Sequence, residues 1–98
     1  MGDHLAAWLN NEVELSKRVE TFEDDFANGY LFGELLAKFN QLDDFDQFKD
    51  RDIRDPIIRN YRMLHPIFRS LRIKFNSQVA LSLIHKRQGV ARDVLYHL

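Results

Sequence analysis

The chain has 98 residues, of which 45% are hydrophobic, and it contains eight phenylalanines and no cysteine. A chain of this length can bury one core without metal or disulfide support, and the lack of cysteine excludes disulfides, thiolate nucleophiles and the usual zinc ligands. No segment approaches the roughly 18 consecutive apolar residues that a membrane-spanning helix needs. The composition therefore predicts a single domain over residues 1–98 and no membrane partner.

The charge is divided unequally between the two halves of the chain. Residues 1–50 contain 12 acidic and 4 basic residues, whereas residues 51–98 contain 3 acidic and 10 basic residues, so that local sums of −8 and +7 give a total of −1. A split of this size makes the second half a candidate docking surface for an acidic partner. The alternative is that the two halves attract each other.

Helical periodicity begins in the first segment. Leu5, Trp8, Leu9 and Val13 recur at the spacing of one helix face over residues 3–13, with Asp3 as a candidate N-cap. A large aromatic residue in such a stripe is more often packed than exposed. We therefore interpret Trp8 as a core anchor.

The next helix is predicted to be the centre of the fold. It starts at Thr21, where Asp24 completes a capping-box pattern, and its apolar residues then point nearly all round the axis. These residues are Phe26, Tyr30, Leu31, Phe32, Leu35, Leu36 and Phe39. Glu34 and Lys38 occupy the narrow polar strip and are expected to form an i, i+4 ion pair. A helix that is apolar on most sides must be surrounded by other elements.

Residues 40–56 have the composition of an irregular acidic connection, with one short helical turn around residues 45–49. Asp44 and Asp46 are spaced as in a calcium loop. However, Phe48 and Lys49 occupy positions where such a loop needs a ligand and a glycine. We therefore expect no calcium site.

A third helix is predicted after Pro56, and its apolar face consists of Ile57, Tyr61, Leu64, Ile67, Phe68 and Leu71. A helical wheel places four arginines within a sector of about 140° away from that face. They are Arg59, Arg62, Arg69 and Arg72. Pro66 removes the N–H that would bond to the Arg62 carbonyl, so we expect a kink or a helix restart there.

Two shorter helices are predicted at the end of the chain, over residues 79–85 and 90–98. Asn76 or Ser77 is the candidate N-cap of the first, and Gly89 is a natural stop between them. The intervening Lys86 and Arg87 form an exposed basic cluster. Because no segment alternates as a strand would, the fold is predicted to be all-α, a compact bundle of four to five main helices around the central buried helix.

The sequence contains no recognisable enzyme or cofactor motif. The histidines at positions 4, 65, 85 and 97 have neither metal-ligand spacing nor an adjacent nucleophile motif, and no glycine-rich phosphate loop occurs. His65, next to Pro66, is interpreted as a surface or boundary residue. The aromatic residues of the basic half follow the core period, which disfavours a nucleic-acid stacking groove. We therefore expect no catalytic residue, no cofactor, no metal and no nucleic-acid partner.

Three blocks of sequence, in this order, resemble a calponin-homology domain. They are Leu5-Ala6-Ala7-Trp8-Leu9, then Phe26-Ala27-Asn28-Gly29-Tyr30-Leu31-Phe32-Gly33-Glu34-Leu35-Leu36, then Asn60-Tyr61 leading through Leu71 to Phe75. The likeness spans nearly the whole chain and is nearest to the single N-terminal domains of ciliary central-pair proteins. It implies a compact helical bundle for cytoskeletal binding, with microtubules when the domain occurs singly and with actin when copies are paired.

The resemblance carries two further expectations. Many members of the family have a glycine where this chain has Arg72, which argues against a left-handed helix cap at that position. The chain also stops within what should be the final helix of such a domain. We therefore expect it to be an N-terminal fragment of a longer protein.

The resulting hypothesis is a non-catalytic module that docks on the acidic surface of tubulin, in the cytoplasmic cytoskeleton and the axoneme of a cilium or flagellum. The predicted basic surface consists of Arg59, Arg62, Arg69, Arg72, Lys86 and Arg87. The resemblance places the last two residues there, and the helical wheel places the arginines.

Three alternatives remain open. The first is a scaffold or self-association module of an axonemal complex, and the second is actin binding. The third is a plain solvated face, which is the commonest role of a charged run. The docking hypothesis gains support if the arginines of the third helix and the Lys86-Arg87 loop merge into one open patch. It loses support if residues 43–52 cover them.

Overall fold

Helices account for all regular secondary structure in residues 4–97, the part of the chain that the computed structural model describes. Their bounds are His4–Trp8 (α1), Phe22–Asp25 (α2), Tyr30–Lys38 (α3), Arg54–Ser70 (α4), Ser77–Ile84 (α5) and Val90–Tyr96 (α6). A π-helical turn, Leu9–Val13, continues α1, and a 3-10 turn, Phe45–Gln47, lies between α3 and α4. The all-α prediction is confirmed. The candidate N-cap at position 3 lies outside the described residues.

The central element is α3, as its apolar periphery predicted. Every residue from Leu31 to Leu36 is buried. The Phe32 ring lies 4.7 Å from the Phe26 ring and 5.8 Å from the Phe68 ring of α4. Aromatic contacts therefore join α3 to the segment before it and to α4. These three fully buried rings form the middle of the core.

The prediction of one continuous helix from residue 21 to residue 39 is wrong, because the chain turns between α2 and α3. Gly29 has a φ of +84°, a left-handed conformation that side chains disfavour. The Asn28 side chain accepts a hydrogen bond from the Tyr30 N–H at 2.9 Å, so an Asn-Gly turn starts α3 afresh. A Cβ atom at position 29 would lie 3.2 Å from the Cβ of Asn60, which means that the glycine also allows α4 to approach closely.

Two carboxylates in this region have partners other than the predicted ones. Asp25, not Asp24, accepts the Thr21 N–H at 3.0 Å, so the residue that closes the start of α2 lies one position further along. The Glu34 carboxylate is buried and accepts hydrogen bonds from the Ser16 N–H and Oγ at 2.9 to 3.0 Å, instead of pairing with the lysine one turn later. Glu34 therefore fixes the segment after α1 to the central helix.

The α4 helix runs from Arg54 to Ser70 through Pro66, so of the two predicted outcomes, a kink or a restart, the restart is wrong. Pro66 and Arg62 are both exposed. The Arg62 carbonyl that loses its N–H partner can therefore be hydrated, and the helix continues. The arginines within α4 consequently keep the spacing of one continuous helix.

Three helices end in a turn that places a residue other than glycine in the left-handed conformation. Asn40 follows α3, Arg72 follows α4 and Lys86 follows α5, with φ values of 62°, 62° and 58°. The Arg72 N–H donates to the Arg69 carbonyl, and the next N–H donates to the Phe68 carbonyl, which is the Schellman pattern. The argument against a left-handed cap at Arg72 is therefore wrong, because these two bonds satisfy the helix end even without glycine.

The boundaries of the last two helices are set by side chains and backbone turns. Of the two candidate caps of α5, Asn76 has the role, since its Oδ1 accepts the Val79 N–H at 3.0 Å. Gly89 does not stop α5. With a φ of +86° it directly precedes α6, while the turn that ends α5 is made at Lys86.

Two neighbouring residues of α4 fix this helix against the rest of the fold. Asn60 is fully buried, and its side chain accepts the Lys49 N–H at 3.0 Å and donates to the Lys49 and Asn28 carbonyls at 2.7 and 2.9 Å. The Tyr61 hydroxyl lies 3.1 and 2.9 Å from the carbonyls of residues 26 and 27. Burial raises the pKa of Tyr61, so the phenol stays protonated and can donate. These bonds orient the opposite side of α4 outward.

Candidate basic docking surface

The arginines of the third predicted helix face solvent. Arg59, Arg62 and Arg69 are exposed on α4, and Arg72 is exposed in the turn that follows it. Within residues 4–97 no carboxylate lies at ion-pair distance from any of the four. Their positive charge is therefore available to a partner.

Acidic residues near the end of the 40–53 connection bond to other groups. Asp50 lies 3.1 Å from the Lys17 ammonium and accepts a hydrogen bond from the Asn28 amide at 3.0 Å, and Asp52 accepts from the same amide at 3.1 Å. These contacts hold the end of the connection against the turn before α3. The two halves of the chain therefore do not neutralise each other at the arginines of α4.

An apolar groove of about 340 Å³ runs between α4 and α5. The rings of Tyr61 and Phe75 line it and are stacked, with their centroids 6.1 Å apart. The remaining lining residues are Ile58, Arg62 and His65 from α4 and Asn76, Ser77, Ala80, Leu81 and Ile84 from the start and length of α5. We name this feature the α4–α5 groove.

A second depression, of about 490 Å³, adjoins the α4–α5 groove, since His65, Phe75 and Asn76 line both. Its other lining residues are Arg69, Arg72, Ile73 and Lys74. Neither depression has a carboxylate among its lining residues. The four cations that border them form what we name the basic rim, which consists of Arg62, Arg69, Arg72 and Lys74.

The structure brings together half of the predicted surface. Three of the six predicted residues belong to the basic rim, and they are Arg62, Arg69 and Arg72. Arg59 is exposed on α4 but lines neither depression. Lys86 and Arg87 lie in the turn between α5 and α6, where the Lys86 ammonium is 3.3 Å from the Asp24 carboxylate.

Sequence analysis missed Lys74 and the groove. Lys74 lies beyond the helical wheel that grouped the arginines, and only the packing of the segment after α4 brings it to the rim. A usable signal was the run Arg72-Ile73-Lys74, in which a buried apolar residue separates two exposed cations. The groove itself depends on how α5 lies against α4, which no local pattern specifies.

A separate aromatic patch is formed by Trp8 and Phe39. Their rings are stacked with centroids 5.9 Å apart, and Phe39 is 50% exposed. Trp8 packs against the core, as predicted, but it remains partly exposed beside a depression lined also by Glu12, Val13 and Lys38. The patch therefore presents apolar surface on residues that line neither depression bordered by the basic rim.

Catalytic or metal chemistry has no visible support at the rim. His65 is exposed, with its ring 6.0 Å from the Phe75 ring. Residues 4–97 contain no group of three His, Cys, Asp or Glu side chains that could hold a metal ion. Every buried polar side-chain atom in that range has a hydrogen-bond partner.

In the same range, no helix has both the length and the apolar character required to cross a membrane.

The buried central helix, the Asn60 and Tyr61 contacts and the outward basic rim together describe a small all-α domain. The chain matches the family model of the CH-like domain in sperm protein over residues 5–98 and belongs to that family. The resemblance to calponin-homology domains is thereby confirmed.

Similar proteins include sperm flagellar protein 2 from several mammals. The chain is 37% identical over 100 residues to the protein of Homo sapiens, and 36% identical over 100 residues to those of Rattus norvegicus and Mus musculus. Each comparison covers all of this chain but only 6% of the length of the relative. No solved structure matches the chain.

Proposed function

We propose that this domain is a non-catalytic cytoskeletal binding module that docks on the acidic surface of microtubules in the axoneme of a cilium or flagellum. The observation that carries the proposal is the basic rim. Within residues 4–97 its cations have no carboxylate partner, and they border two depressions without acidic lining residues. Membership of the sperm-protein family and the similarity to sperm flagellar protein 2 support a flagellar setting.

The proposal follows from the electrostatics of clustered arginines. Like charges gathered on one surface repel each other unless a partner compensates them. The planar guanidinium group can make paired hydrogen bonds to a carboxylate, which suits it to an acidic protein surface. Each exposed pair contributes only about 0–1 kcal/mol, so several contacts must act together. Arg59, Lys86 and Arg87 are secondary members of the proposed surface, because they lie outside the rim.

Cosedimentation of the 98-residue chain with microtubules over a salt series tests the proposal. We expect binding at low ionic strength that weakens as the screening length falls below about 10 Å, its value near 0.1 M salt. The double variant Arg62→Gln/Arg69→Gln should bind about tenfold more weakly, because it removes two rim contacts. Lys86→Gln/Arg87→Gln should have a smaller effect, since Lys86 already has an internal partner.

A matched control is Arg18→Gln/Arg51→Gln, which removes the same charge from two exposed positions outside the rim. This variant should bind almost as well as the unaltered chain. Binding that persists unchanged at about 0.5 M salt would reject electrostatic docking. An equal loss in the control and the rim variants would reject the rim as its location.

The Trp8–Phe39 patch favours a second candidate, a scaffold module that binds another axonemal protein or a second copy of itself. Exposed stacked aromatic rings are common anchors of protein interfaces. Light scattering over a concentration series checks self-association. A mass that rises with concentration, and stays constant for Phe39→Ser, would support it. The actin alternative is tested by cosedimentation with actin filaments, where we expect no binding.

A further inference from the structure

We propose that the α4–α5 groove holds an apolar side chain of the acidic segment that lies along the basic rim. The occupant is an acidic partner segment in which a leucine or phenylalanine is flanked by glutamates or aspartates. This inference rests on the proposed function for the acidic character of the partner. It adds that recognition requires an apolar anchor as well as charge.

The groove contains exposed apolar surface. Leu81 is 53% exposed, and Ile58 and Ile84 are only partly buried, although all three line a concave site. Single exposed apolar side chains on a convex surface are ordinary. A cluster of them around a depression is where burial of a partner side chain gains most.

Contacts within the fold hold the walls of the groove in place. Tyr61 and Phe75 are stacked with an interplanar angle of 11°, and the Phe75 ring also lies 4.8 Å from the buried Phe68 ring. The Tyr61 hydroxyl is held by carbonyls in the turn before α3. At the start of α5, the Asn76 side chain is held by the Val79 N–H. A site with ordered walls needs little reorganisation when a partner binds.

The charge around the groove selects for an acidic partner. Three other depressions each have a carboxylate among their lining residues, namely Glu20, Asp93 or Glu12. The α4–α5 groove and its neighbour have none, and the four cations of the basic rim border them. An acidic segment is therefore favoured there and a basic one is repelled.

The size of the groove limits what can enter it. Its volume of about 340 Å³ is at the lower end of the range of small-molecule sites, about 300–1,000 Å³. Every buried side-chain nitrogen and oxygen atom in the described residues already has a hydrogen-bond partner, so none is left for a ligand to satisfy. One or two apolar side chains therefore fit the groove better than a polar cofactor does.

The test measures fluorescence anisotropy of the 98-residue chain with short labelled peptides. The first peptide consists of glutamates around one central leucine, the second has serine in place of that leucine, and the third has glutamines in place of the glutamates. We expect the first to bind about tenfold to a hundredfold more tightly than the second, which is the effect of burying a leucine side chain. The third should bind weakly at low salt, because it lacks charge.

Protein variants locate the site. Leu81→Ser should reduce affinity for the leucine peptide about fivefold to tenfold while leaving affinity for the serine peptide unchanged. The matched control is Ile53→Ser, which alters another aliphatic residue that is 57% exposed and lies outside the groove. Circular dichroism verifies that both variants remain helical.

The outcomes separate this inference from the proposed function. Equal affinity for the leucine and serine peptides overturns the groove as an anchor site, even if microtubules bind through the rim. Equal effects of Leu81→Ser and Ile53→Ser overturn it as well. Peptide binding with the predicted preference, but without microtubule binding, supports the groove and rejects microtubules as the partner. If neither peptides nor microtubules bind, both proposals are rejected.

Discussion

The Lys86 ammonium lies 3.3 Å from the Asp24 carboxylate, which joins the turn after α5 to the short helix α2. A second contact reinforces this junction, because the Gly89 N–H donates to the Glu23 carboxylate at 3.0 Å. Part of the charge split in the sequence is therefore satisfied inside the domain. The four cations of the basic rim have no such partner within residues 4–97.

Replacing Asp24 with asparagine should release Lys86 for a partner. Both side chains are more than half exposed, at 55% and 60%, so the free energy of unfolding should fall by no more than about 0.5 kcal/mol. Microtubule cosedimentation at low salt should show about twofold tighter binding. Asp43→Asn is the control, since it makes the same charge change at an exposed site in the connection. An equal gain in both variants would show a net-charge effect alone.

Arg72 offers a way to separate binding from stability. Its φ of 62° suits glycine, so Arg72→Gly should raise the free energy of unfolding by about 0.5–1 kcal/mol in urea denaturation. The same variant should weaken microtubule binding severalfold, because it removes a cation of the rim. Asn40→Gly changes a residue with the same φ and is the control for stability without loss of binding. A loss of both properties in Arg72→Gly would indicate a structural role instead.

The helical spacing of apolar and charged residues predicted which helix is buried and which side of a helix faces solvent. The apolar periphery of the central helix predicted its burial, and the helical wheel correctly gave Arg62 and Arg69 one side of α4. The continuous helix failed because apolar periodicity runs straight across Asn28 and Gly29. The turn there depends on a left-handed glycine and one side-chain hydrogen bond, neither of which alters the periodicity.

The features that could not be predicted from the sequence depend on contacts between residues far apart in the chain. Glu34 was expected to pair with a neighbour on its own helix, but its partner is Ser16, 18 positions earlier. The sequence identified Asn60 only as part of a family pattern. Its side chain in fact forms hydrogen bonds with the backbone of Lys49 and Asn28, in two separate connecting segments. Such pairings follow from tertiary packing, which also creates the α4–α5 groove and brings Lys74 to the basic rim.

Tyr61 should make stability decrease in alkaline solution. Its pKa is raised by burial above the ordinary value of 10.0, so above about pH 10 the unfolded chain loses this proton while the folded chain keeps it. The free energy of unfolding should then fall by up to about 1.4 kcal/mol per pH unit from this group.

Tyr61→Phe is the variant that checks this dependence. At pH 7 it should be about 1 kcal/mol less stable, because the hydrogen bonds to the preceding turn are lost. Urea denaturation should show this difference shrinking as the pH rises above 10. Tyr96→Phe is the control, since it removes a tyrosine hydroxyl from a side chain that is 62% exposed. A constant difference between Tyr61→Phe and the unaltered chain would contradict the prediction.

Gly33 should be intolerant of alanine, although alanine is favoured over glycine in a helix by about 1 kcal/mol. A Cβ atom at this position would lie 2.6 Å from the Phe48 ring, which is buried. The ring cannot move aside easily, because Asn60 holds both the N–H and the carbonyl of the next residue, Lys49. Urea denaturation of Gly33→Ala should therefore show a loss of about 1–2 kcal/mol. The double variant Gly33→Ala/Phe48→Leu should be more stable than the sum of the two single changes predicts, since the smaller side chain relieves the overlap. Simple additivity would mean that the overlap between Gly33 and Phe48 does not limit the packing of the connection on α3.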